Sequence, residues 1–275
     1  MKVGVVGLGL IGGSVAKAYK AAGHTVYGCD ADTAVQGYVK LEGTIDKELT
    51  PKSMAQCDLI ILAATPVAVR EYLEANASHI PSSALVLDFC GTKRAVCSAG
   101  FALAAQHGFT FVGGHPMAGT QYSGYKYSRP NMFAGASFIM VPPVHDDIVL
   151  LDRVKQALAP LEFKKYIVTT AEFHDRMIAY TSQMCHVVSN AFVKSPSAQY
   201  HKGYSAGSFR DFTRVSRLNE KMWTELFLEN SENLIAELDL LINSLGQYRE
   251  AIAGGDADAL CSLLREGRVA KENIE

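Results

Sequence analysis

A histidine flanked by glycines is the first candidate for catalysis in this sequence. His115 lies in the stretch G-G-H-P-M-A-G-T, residues 113–120, directly after an apolar run that is typical of a β-strand. A histidine at the end of a strand is poorly placed for core packing, and neutral imidazole can take a proton from a hydroxyl near pH 7. The alternative is a loop histidine that hydrogen-bonds to backbone, and the residue type alone does not decide between them.

A glycine-rich turn near the N-terminus predicts a dinucleotide site. Gly7, Gly9 and Gly12 form the pattern G-x-G-x-x-G between a predicted strand and a predicted helix. The first glycine permits the tight turn, the second lets the backbone approach a pyrophosphate, and the third lets the helix pack close to the strand. Leu10 and Ile11 belong to the same helix start, whose N–H groups and dipole favour a bound diphosphate. A glycine turn without a ligand is the less favoured interpretation.

An acidic residue after the second predicted strand indicates which dinucleotide binds. A carboxylate at Asp30 would accept hydrogen bonds from the ribose hydroxyls and repel a 2′-phosphate, so NAD is favoured over NADP. Asp32 lies close by and could share this contact. Ligands of open α/β sheets bind at the carboxyl ends of the strands, and this rule also places Thr65 and Pro66 beside the cofactor.

Alternating strand and helix patterns would position these residues. Amphipathic stretches lie between most of seven apolar runs that are typical of strands: Lys2–Gly7, Thr25–Cys29, Leu59–Ala63, Leu85–Phe89, Thr110–Val112, Ser137–Val141 and Tyr166–Val168. Continuous apolar strands that alternate with helices predict a doubly wound, mostly parallel sheet. We therefore expect a dinucleotide-binding Rossmann domain over residues 1–168.

The pattern becomes helical near residue 169. Thr169 or Thr170 is a good helix cap, and an apolar stripe from Glu220 to Ile252 predicts one helix of about eight or nine turns. Asp256 is expected to cap a last helix over residues 257–270. These features predict an all-α domain over residues 169–275. The long stripe favours packing against a second copy in a two-fold dimer, with an intramolecular bundle as the alternative.

The composition argues against several classes of protein. A net charge of −2 is not that of a nucleic-acid-binding surface. No apolar run has the roughly 20 residues of a membrane span, and no secretory leader precedes the first strand, so we expect a cytoplasmic protein. The six cysteines include no C-x-x-C pair, and no histidine stands beside them at metal spacing. We expect reduced thiols and neither a disulfide nor a metal.

Four motifs occur together in this chain. They are G-L-G-L-I-G-G-S near the N-terminus, G-G-H-P-M-A-G-T, the pair His174-Asp175 with His186 further along, and G-S-F-R-D-F-T-R at residues 207–214. Together they resemble the prephenate/arogenate dehydrogenase family of tyrosine biosynthesis, over essentially the whole chain. The resemblance implies a Rossmann domain with a helical dimerisation domain. It also implies NAD-dependent oxidative decarboxylation of prephenate to 4-hydroxyphenylpyruvate, or of arogenate to tyrosine.

The resemblance implies roles for individual residues. The family's catalytic histidine falls on His115, its substrate-carboxylate arginine on Arg214, and its helix histidine near the substrate on His186. Lys93 is a further candidate for orienting groups or supporting charge, with a solvated lysine at a helix start as the alternative.

The chain departs from the family's pattern at three positions. Many members have a serine that assists the catalytic histidine where this chain has Gly91, so Thr92 or a water would substitute. Gln183 stands where many members have another histidine. Gln121 replaces a frequent acidic residue and cannot pair with the ammonium of arogenate as a carboxylate would, which favours prephenate. A non-catalytic NAD-binding dimeric sensor is the alternative of another class, supported only by the changes at Gly91 and Gln183.

Overall fold

A computed structural model describes residues 1–274, and the chain divides into two compact units, Met1–Asn230 and a second that begins at Ser231. The first unit contains one eight-stranded sheet in the order β3-β2-β1-β4-β5-β6-β7-β8. Its strands are β1 (Lys2–Val6), β2 (Thr25–Cys29), β3 (Lys47–Glu48), β4 (Leu59–Leu62), β5 (Leu85–Asp88), β6 (Thr110–Pro116), β7 (Ser137–Val141) and β8 (Lys165–Val168). All neighbours are parallel except β6 and β7, which confirms the predicted doubly wound sheet.

Six helices cover the sheet: α1 (Leu10–Ala21), α2 (Thr33–Leu41), α3 (Pro51–Met54), α4 (Pro66–Asn76), α5 (Arg94–His107) and α6 (Ile148–Ala157). Every residue of β4 and β5 is buried, because these apolar strands have core on both faces. Tyr19 and Phe138 belong to one core layer, and Ile60 and Phe111 to the other. The two-residue β3 was not predicted, since both of its side chains are exposed and carry no apolar signal.

Strand β6 is longer than the sequence predicted. The apolar run ends at Val112, but residues 113–116 continue the strand because they pair antiparallel with β7, His115 opposite Ile139. A Cβ atom at Gly114 would lie 2.5 Å from the Phe138 ring and 2.7 Å from the Asp88 carbonyl oxygen, so this close packing requires glycine. The alternative of a loop histidine was therefore wrong, and His115 lies on the sheet.

The rest of the first unit is helical, with α7 (Ala171–Ile178), a π-helical segment (Ala179–Met184), α8 (Cys185–Phe192), α9 (Gly207–Thr213) and α10 (Glu220–Glu229). The Thr170 hydroxyl accepts the N–H of Phe173 at 3.2 Å, which confirms the predicted cap. The prediction of one long helix from residue 220 was wrong. Asn230 interrupts it with a φ of −115°, and its buried side-chain amide donates to the Asp175 carbonyl at 2.8 Å and to Gln183 Oε1 at 2.7 Å.

The second unit consists of α11 (Ser231–Gly254) and α12 (Ala257–Glu272). Asp256 caps α12 by accepting the N–H of Ala259 at 2.9 Å, which confirms the predicted start of the last helix. Several large apolar side chains of α11 are exposed in the single chain: Ile235, Leu240, Ile242, Leu245 and Ile252. Among the helices of residues 1–274, none combines the length and the apolar character needed to cross a membrane.

Candidate active site

The glycine turn between β1 and α1 has the shape of a diphosphate site. Gly7 has a φ of +82°, and a Cβ there would lie 2.6 Å from the Ala63 carbonyl oxygen. A Cβ at Gly12 would overlap the Gly7 carbonyl, so neighbouring backbone explains both glycines. At Gly9, by contrast, a Cβ would meet nothing within 4 Å. No side chain caps the N-terminus of α1. No protein atom therefore requires glycine at position 9. A dinucleotide explains this glycine, because its diphosphate must approach the backbone of the turn closely.

Asp30 lies beside this turn. Its Oδ2 accepts the N–H of Leu8 at 2.6 Å and its Oδ1 accepts the N–H of Asp32 at 2.8 Å. Each oxygen keeps a second lone pair for a ribose hydroxyl. Asp32 instead caps α2 by accepting the N–H of Ala34 at 2.9 Å. Thr65 and Pro66 begin α4 at the carboxyl end of β4, as the sequence predicts.

Two glycine substitutions separate ligand binding from folding. We expect Gly9→Ala to leave the thermal unfolding temperature nearly unchanged, since its methyl group meets no protein atom, and to weaken NAD binding by about tenfold or more. Gly12→Ala should instead lower the unfolding temperature by several degrees, because the new methyl group displaces the Gly7 carbonyl. Calorimetry with and without NAD measures both effects. Equal NAD affinity in Gly9→Ala and the wild type would remove the diphosphate from this position.

His115 is the first member of a chain of three hydrogen-bonded side chains. Its Nδ1 lies 2.8 Å from His174 Nε2, and His174 Nδ1 lies 2.7 Å from Asp175 Oδ1. The backbone N–H groups of Lys93 and Arg94 donate to the two oxygens of Asp175 at 2.7 Å and 2.9 Å. His174 and Asp175 lie on helix α7 and are each 1% exposed. Helix α7 thus supplies a buried pair of side chains in contact with His115.

These contacts fix the tautomers of both imidazoles. A carboxylate at Asp175 only accepts, so His174 carries its proton on Nδ1 and presents an unprotonated Nε2. His115 must then donate from Nδ1 to His174, which leaves the lone pair of His115 on Nε2. No other side chain among the described residues hydrogen-bonds to the His115 ring. Its Nε2 is therefore prepared to accept a proton from a ligand hydroxyl.

The pKa values of these three side chains support the same protonation states. Burial lowers the pKa of His115 well below 6.5, and the neighbouring His174 and Lys93 lower it further. Burial also lowers the pKa of His174, and this effect outweighs the hydrogen bond that His174 donates to Asp175, which raises it. Burial alone would raise the pKa of Asp175, but the hydrogen bonds from His174 and Arg94 outweigh it and the pKa lies below the ordinary value. Near neutral pH Asp175 is therefore a carboxylate, and His174 and His115 are neutral imidazoles.

The side chain of Lys93 is fully buried. Its ammonium is 0% exposed and forms an ion pair with Asp88 at the end of β5. Asp88 also accepts the N–H of Cys90 at 3.0 Å and of Gly114 at 3.2 Å. The burial of Lys93 excludes a solvated lysine, whereas a role in orienting groups or supporting charge stays a prediction. The positive charge of Lys93 lowers the pKa of His115.

The hydroxyl of Thr92 is paired with helix α10. Its hydroxyl donates to Glu229 Oε2 at 2.9 Å, while Arg70 donates to Glu229 Oε1 at 3.0 Å. Glu225, one turn earlier on α10, accepts the N–H of Val67 at 2.8 Å. Helix α10 is thus fastened to the starts of α4 and α5. Thr92 serves this attachment and does not take over the hydrogen bond of the missing serine; the histidine partner is His174.

Helix α10 also accounts for Gly91 and Gln183. A Cβ at Gly91 would lie 3.2 Å from Leu226 Cδ2, so Leu226 occupies the space beside this glycine. Gln183 is 1% exposed, donates to the Leu226 carbonyl at 2.9 Å and accepts from Asn230 at 2.7 Å. Both departures from the family's pattern therefore belong to one packing arrangement around α10.

Three of the predicted substrate residues line two cavities of about 470 Å³ each. Gln121 lines both, Arg214 lines one and His186 the other. The cavities also share Tyr122 and Tyr127, whose rings stack with centroids 4.6 Å apart. His115 is not part of either wall. However, Gly119 in the wall follows it by only four residues, which limits the separation of their Cα atoms to about 14 Å.

His186 is oriented by its neighbours. Its Nδ1 donates to the Ser182 carbonyl at 2.9 Å, and its ring stacks on Trp223 with centroids 3.9 Å apart. Burial lowers its pKa, and the charge of Arg214 lowers it further. A neutral His186 then presents an unprotonated Nε2, which accepts hydrogen bonds and does not add a charge to the site.

The sequence did not identify the positioning roles of His174, Asp175 and Asn230. His174 and Asp175 were noticed as a motif, but their contact with His115 joins positions 59 residues apart and has no local signal. Asn230 appeared only as one position in an apolar stripe. Its polarity at the interruption of that stripe was the available clue.

The comparisons with known proteins agree with this geometry. Residues 15–167 match the family model of the prephenate dehydrogenase nucleotide-binding domain, and residues 170–266 match that of the prephenate dehydrogenase dimerization domain. A prephenate dehydrogenase from Lactococcus lactis is 27% identical over 283 residues, covering 100% of this chain and 77% of the relative. A cyclohexadienyl dehydrogenase from Zymomonas mobilis is 28% identical over 98% of this chain and 94% of its own length.

Solved structures of the same kind superpose on the chain. A prephenate dehydrogenase from A. aeolicus, in complex with hydroxyphenyl propionate and NAD+, has a TM-score of 0.83 at 28% identity and covers 100% of this chain and 98% of that one. An arogenate dehydrogenase from Synechocystis has a TM-score of 0.79 at 26% identity, covering 100% of both chains. With both family models matched over most of its length, the chain belongs to the prephenate dehydrogenase family.

Proposed function

We propose that the protein is an NAD-dependent prephenate dehydrogenase that converts prephenate to 4-hydroxyphenylpyruvate in tyrosine biosynthesis. The observation that carries this proposal is the His115–His174–Asp175 chain, which leaves an unprotonated nitrogen at the end of β6. The family and the open space at Gly9 support NAD as the cofactor, and the position of Asp30 supports NAD over NADP.

The mechanism follows from the residues of the site. Arg214 pairs with a substrate carboxylate, and Gln121 and His186 line the adjoining walls. His115 Nε2 accepts the proton of the ring hydroxyl, so the O–H electron pair forms a carbonyl as hydride departs from the same carbon. The bound nicotinamide supplies the hydride acceptor. The ring carboxylate then leaves as carbon dioxide, and its bonding electrons complete the aromatic ring. The carbonyl electron pair returns to the oxygen, which takes the proton back from His115 to form the phenol.

His174 and Asp175 assist without touching the substrate. The proton taken by His115 makes an imidazolium whose Nδ1–H is already directed at His174. The carboxylate of Asp175 stabilises the positive charge that develops along this chain. Strand β6 and helix α7 fix these groups in advance, so little reorganisation is needed when the proton moves.

Arogenate is the second candidate substrate. An arogenate dehydrogenase and a cyclohexadienyl dehydrogenase are among the similar proteins, so the family alone does not favour prephenate. The neutral Gln121 in both cavity walls supports prephenate, because it offers no negative charge to the ammonium of arogenate.

We also propose a boundary between a nucleotide-binding domain, residues 1–168, and a helical domain, residues 169–275. The end of β8 at Val168 and the cap of α7 at Thr170 support it. The exposed apolar side chains of α11, together with the match to a dimerization domain, support a homodimer through the helical domain. The cytoplasm is the location that we propose for this enzyme.

The test is an assay of NADH formation with prephenate or arogenate and with NAD or NADP. We expect the highest kcat/KM with prephenate and NAD. A protein that binds NAD in calorimetry but produces no NADH from either substrate would instead be a sensor, and faster turnover of arogenate would reverse the substrate assignment.

A further inference from the structure

One cavity wall carries two arginines and no acidic residue. Arg129 and Arg214 line the same cavity of about 470 Å³, whose other lining residues are glycine, threonine, glutamine and tyrosine. In the described part of the chain, neither guanidinium has a carboxylate partner. Two unpaired cations in one concave site favour a ligand with two negative charges.

The backbone at Arg129 is attached to helix α1, which begins at the glycine turn. Its backbone N–H donates to Ser14 Oγ at 3.0 Å, and Ser14 lies on α1, the helix that begins at the glycine turn. The next residues toward the N-terminus are fastened to the same helix. Lys17 donates to the Ser128 carbonyl at 3.4 Å, and the Tyr125 ring packs so closely on Gly13 that a Cβ there would lie 2.6 Å away. Arg214, in contrast, follows the C-terminus of α9. The two cations therefore reach one cavity from separate elements.

We propose that Arg129 binds the ring carboxylate of prephenate, the group that leaves as carbon dioxide, while Arg214 binds the side-chain carboxylate. This inference rests on the proposed function. Both carboxylates of prephenate are carried by one ring carbon, at the opposite end of the ring from the hydroxyl that His115 deprotonates. A single cavity with two arginines matches this arrangement, and each guanidinium can hold one carboxylate in a bidentate contact.

The assignment has a consequence for product release. The product 4-hydroxyphenylpyruvate keeps the side-chain carboxylate and has lost the ring carboxylate. Arg214 therefore has a partner in substrate and product, whereas Arg129 has one in the substrate only. Arg129 thus distinguishes the substrate from its own product, and it loses its contact at the step that releases carbon dioxide.

The test is Arg129→Gln, with prephenate and two monocarboxylates, 4-hydroxyphenylpyruvate and hydroxyphenyl propionate. We expect the KM for prephenate to rise by about 10- to 100-fold, the range for a lost charge-assisted contact. The kcat should stay within about threefold, because the contact is the same in the bound substrate and in the transition state for hydride transfer, which precedes the loss of carbon dioxide. The inhibition constants of both monocarboxylates should stay within about twofold.

Matched variants complete the experiment. Arg129→Lys keeps the charge without the bidentate fork and should recover part of the lost affinity for prephenate. Lys165→Gln removes one positive charge from the exposed start of β8 and should leave all these constants unchanged. In Arg214→Gln the monocarboxylates should bind about tenfold or more weakly.

Two results would overturn the assignment of Arg129. One is an unchanged KM for prephenate in Arg129→Gln, and the other is an equal loss of affinity for prephenate and for the monocarboxylates. A wild-type protein that forms no NADH from prephenate would instead refute the proposed function. The two failures are therefore separable.

Discussion

Replacing His115 by asparagine is expected to lower kcat by at least about a hundredfold while NAD affinity stays near that of the wild type. Asparagine can still donate a hydrogen bond to His174, so His174 and Asp175 keep their hydrogen bonds. It offers no basic nitrogen to the substrate hydroxyl, and loss of a general base typically costs a factor of about 10² to 10⁴. Steady-state kinetics and calorimetric titration with NAD measure the two quantities. Turnover of His115→Asn at the wild-type rate would rule out His115 as the base.

His107→Asn is the matched control for this variant. His107 ends α5 and contributes to neither cavity wall. The same chemical change at this position should leave kcat and KM within about twofold of the wild-type values. A comparable loss in His107→Asn would mean that the assay responds to general damage and not to the base.

The acid limb of the pH profile gives a second readout for His115. Its burial, together with the neighbouring His174 and the charge of Lys93, holds its pKa well below 6.5. A base with a lowered pKa stays unprotonated at neutral pH, so kcat/KM should be flat there and should fall only as the pH drops below the ordinary histidine range. An activity that is already half lost at pH 7 would contradict the buried, neutral state.

Much of the fold was predictable because its signals are local. The apolar runs of β4 and β5, the glycines before α1, and the caps Thr170 and Asp256 each act within a few residues. The errors occurred where long-range contacts decide the structure. Strand β6 extends through His115 because β7 pairs with it, and helix α10 ends before Asn230 because that amide donates to Asp175 and Gln183.

The candidate site divides in the same way. Motifs identified His115, Gln121, His186 and Arg214, and the structure places three of these on cavity walls and His115 at the end of β6. Spacing along the chain could not show that Thr92 donates to Glu229, nor that Lys93 is buried against Asp88. The contact of His115 with His174 was likewise hidden, because it depends on how α7 packs against the rest of the first unit.

Asp175→Asn is the second substitution for which we expect a large effect. Asp175 accepts from Lys93 N–H, Arg94 N–H and His174 Nδ1, with two oxygens and a negative charge. An amide has one accepting oxygen, so at least one of these donors must face an N–H₂ group. In either orientation the charge that stabilises the imidazolium of His115 is lost. We expect kcat to fall by about 10²- to 10³-fold and the KM for prephenate to change less than about threefold.

The pH profile separates this positioning role from loss of structure. With the carboxylate removed, less negative charge supports a protonated imidazole, so the pKa of His115 should fall further and the acid limb of kcat/KM should move to lower pH. Partial unfolding would lower the active fraction without moving the limb. Asp46→Asn is the control, because Asp46 also pairs with a side chain, Lys20, and with a backbone N–H, that of Val26, elsewhere in the first unit.

Comparison of Asp175→Asn with Asp46→Asn tests whether kcat depends on losing any paired carboxylate or on losing the one beside His174. Asp46→Asn should reduce thermal stability modestly and leave kcat and the pH profile unchanged, because surface ion pairs contribute about 0–1 kcal/mol and none of its partners reaches His115. If Asp175→Asn behaved in the same way, the tautomer of His115 would not depend on its hydrogen bond with His174 and Asp175. The base would then be held by strand β6 alone, and the pairing of His174 with Asp175 would be structural.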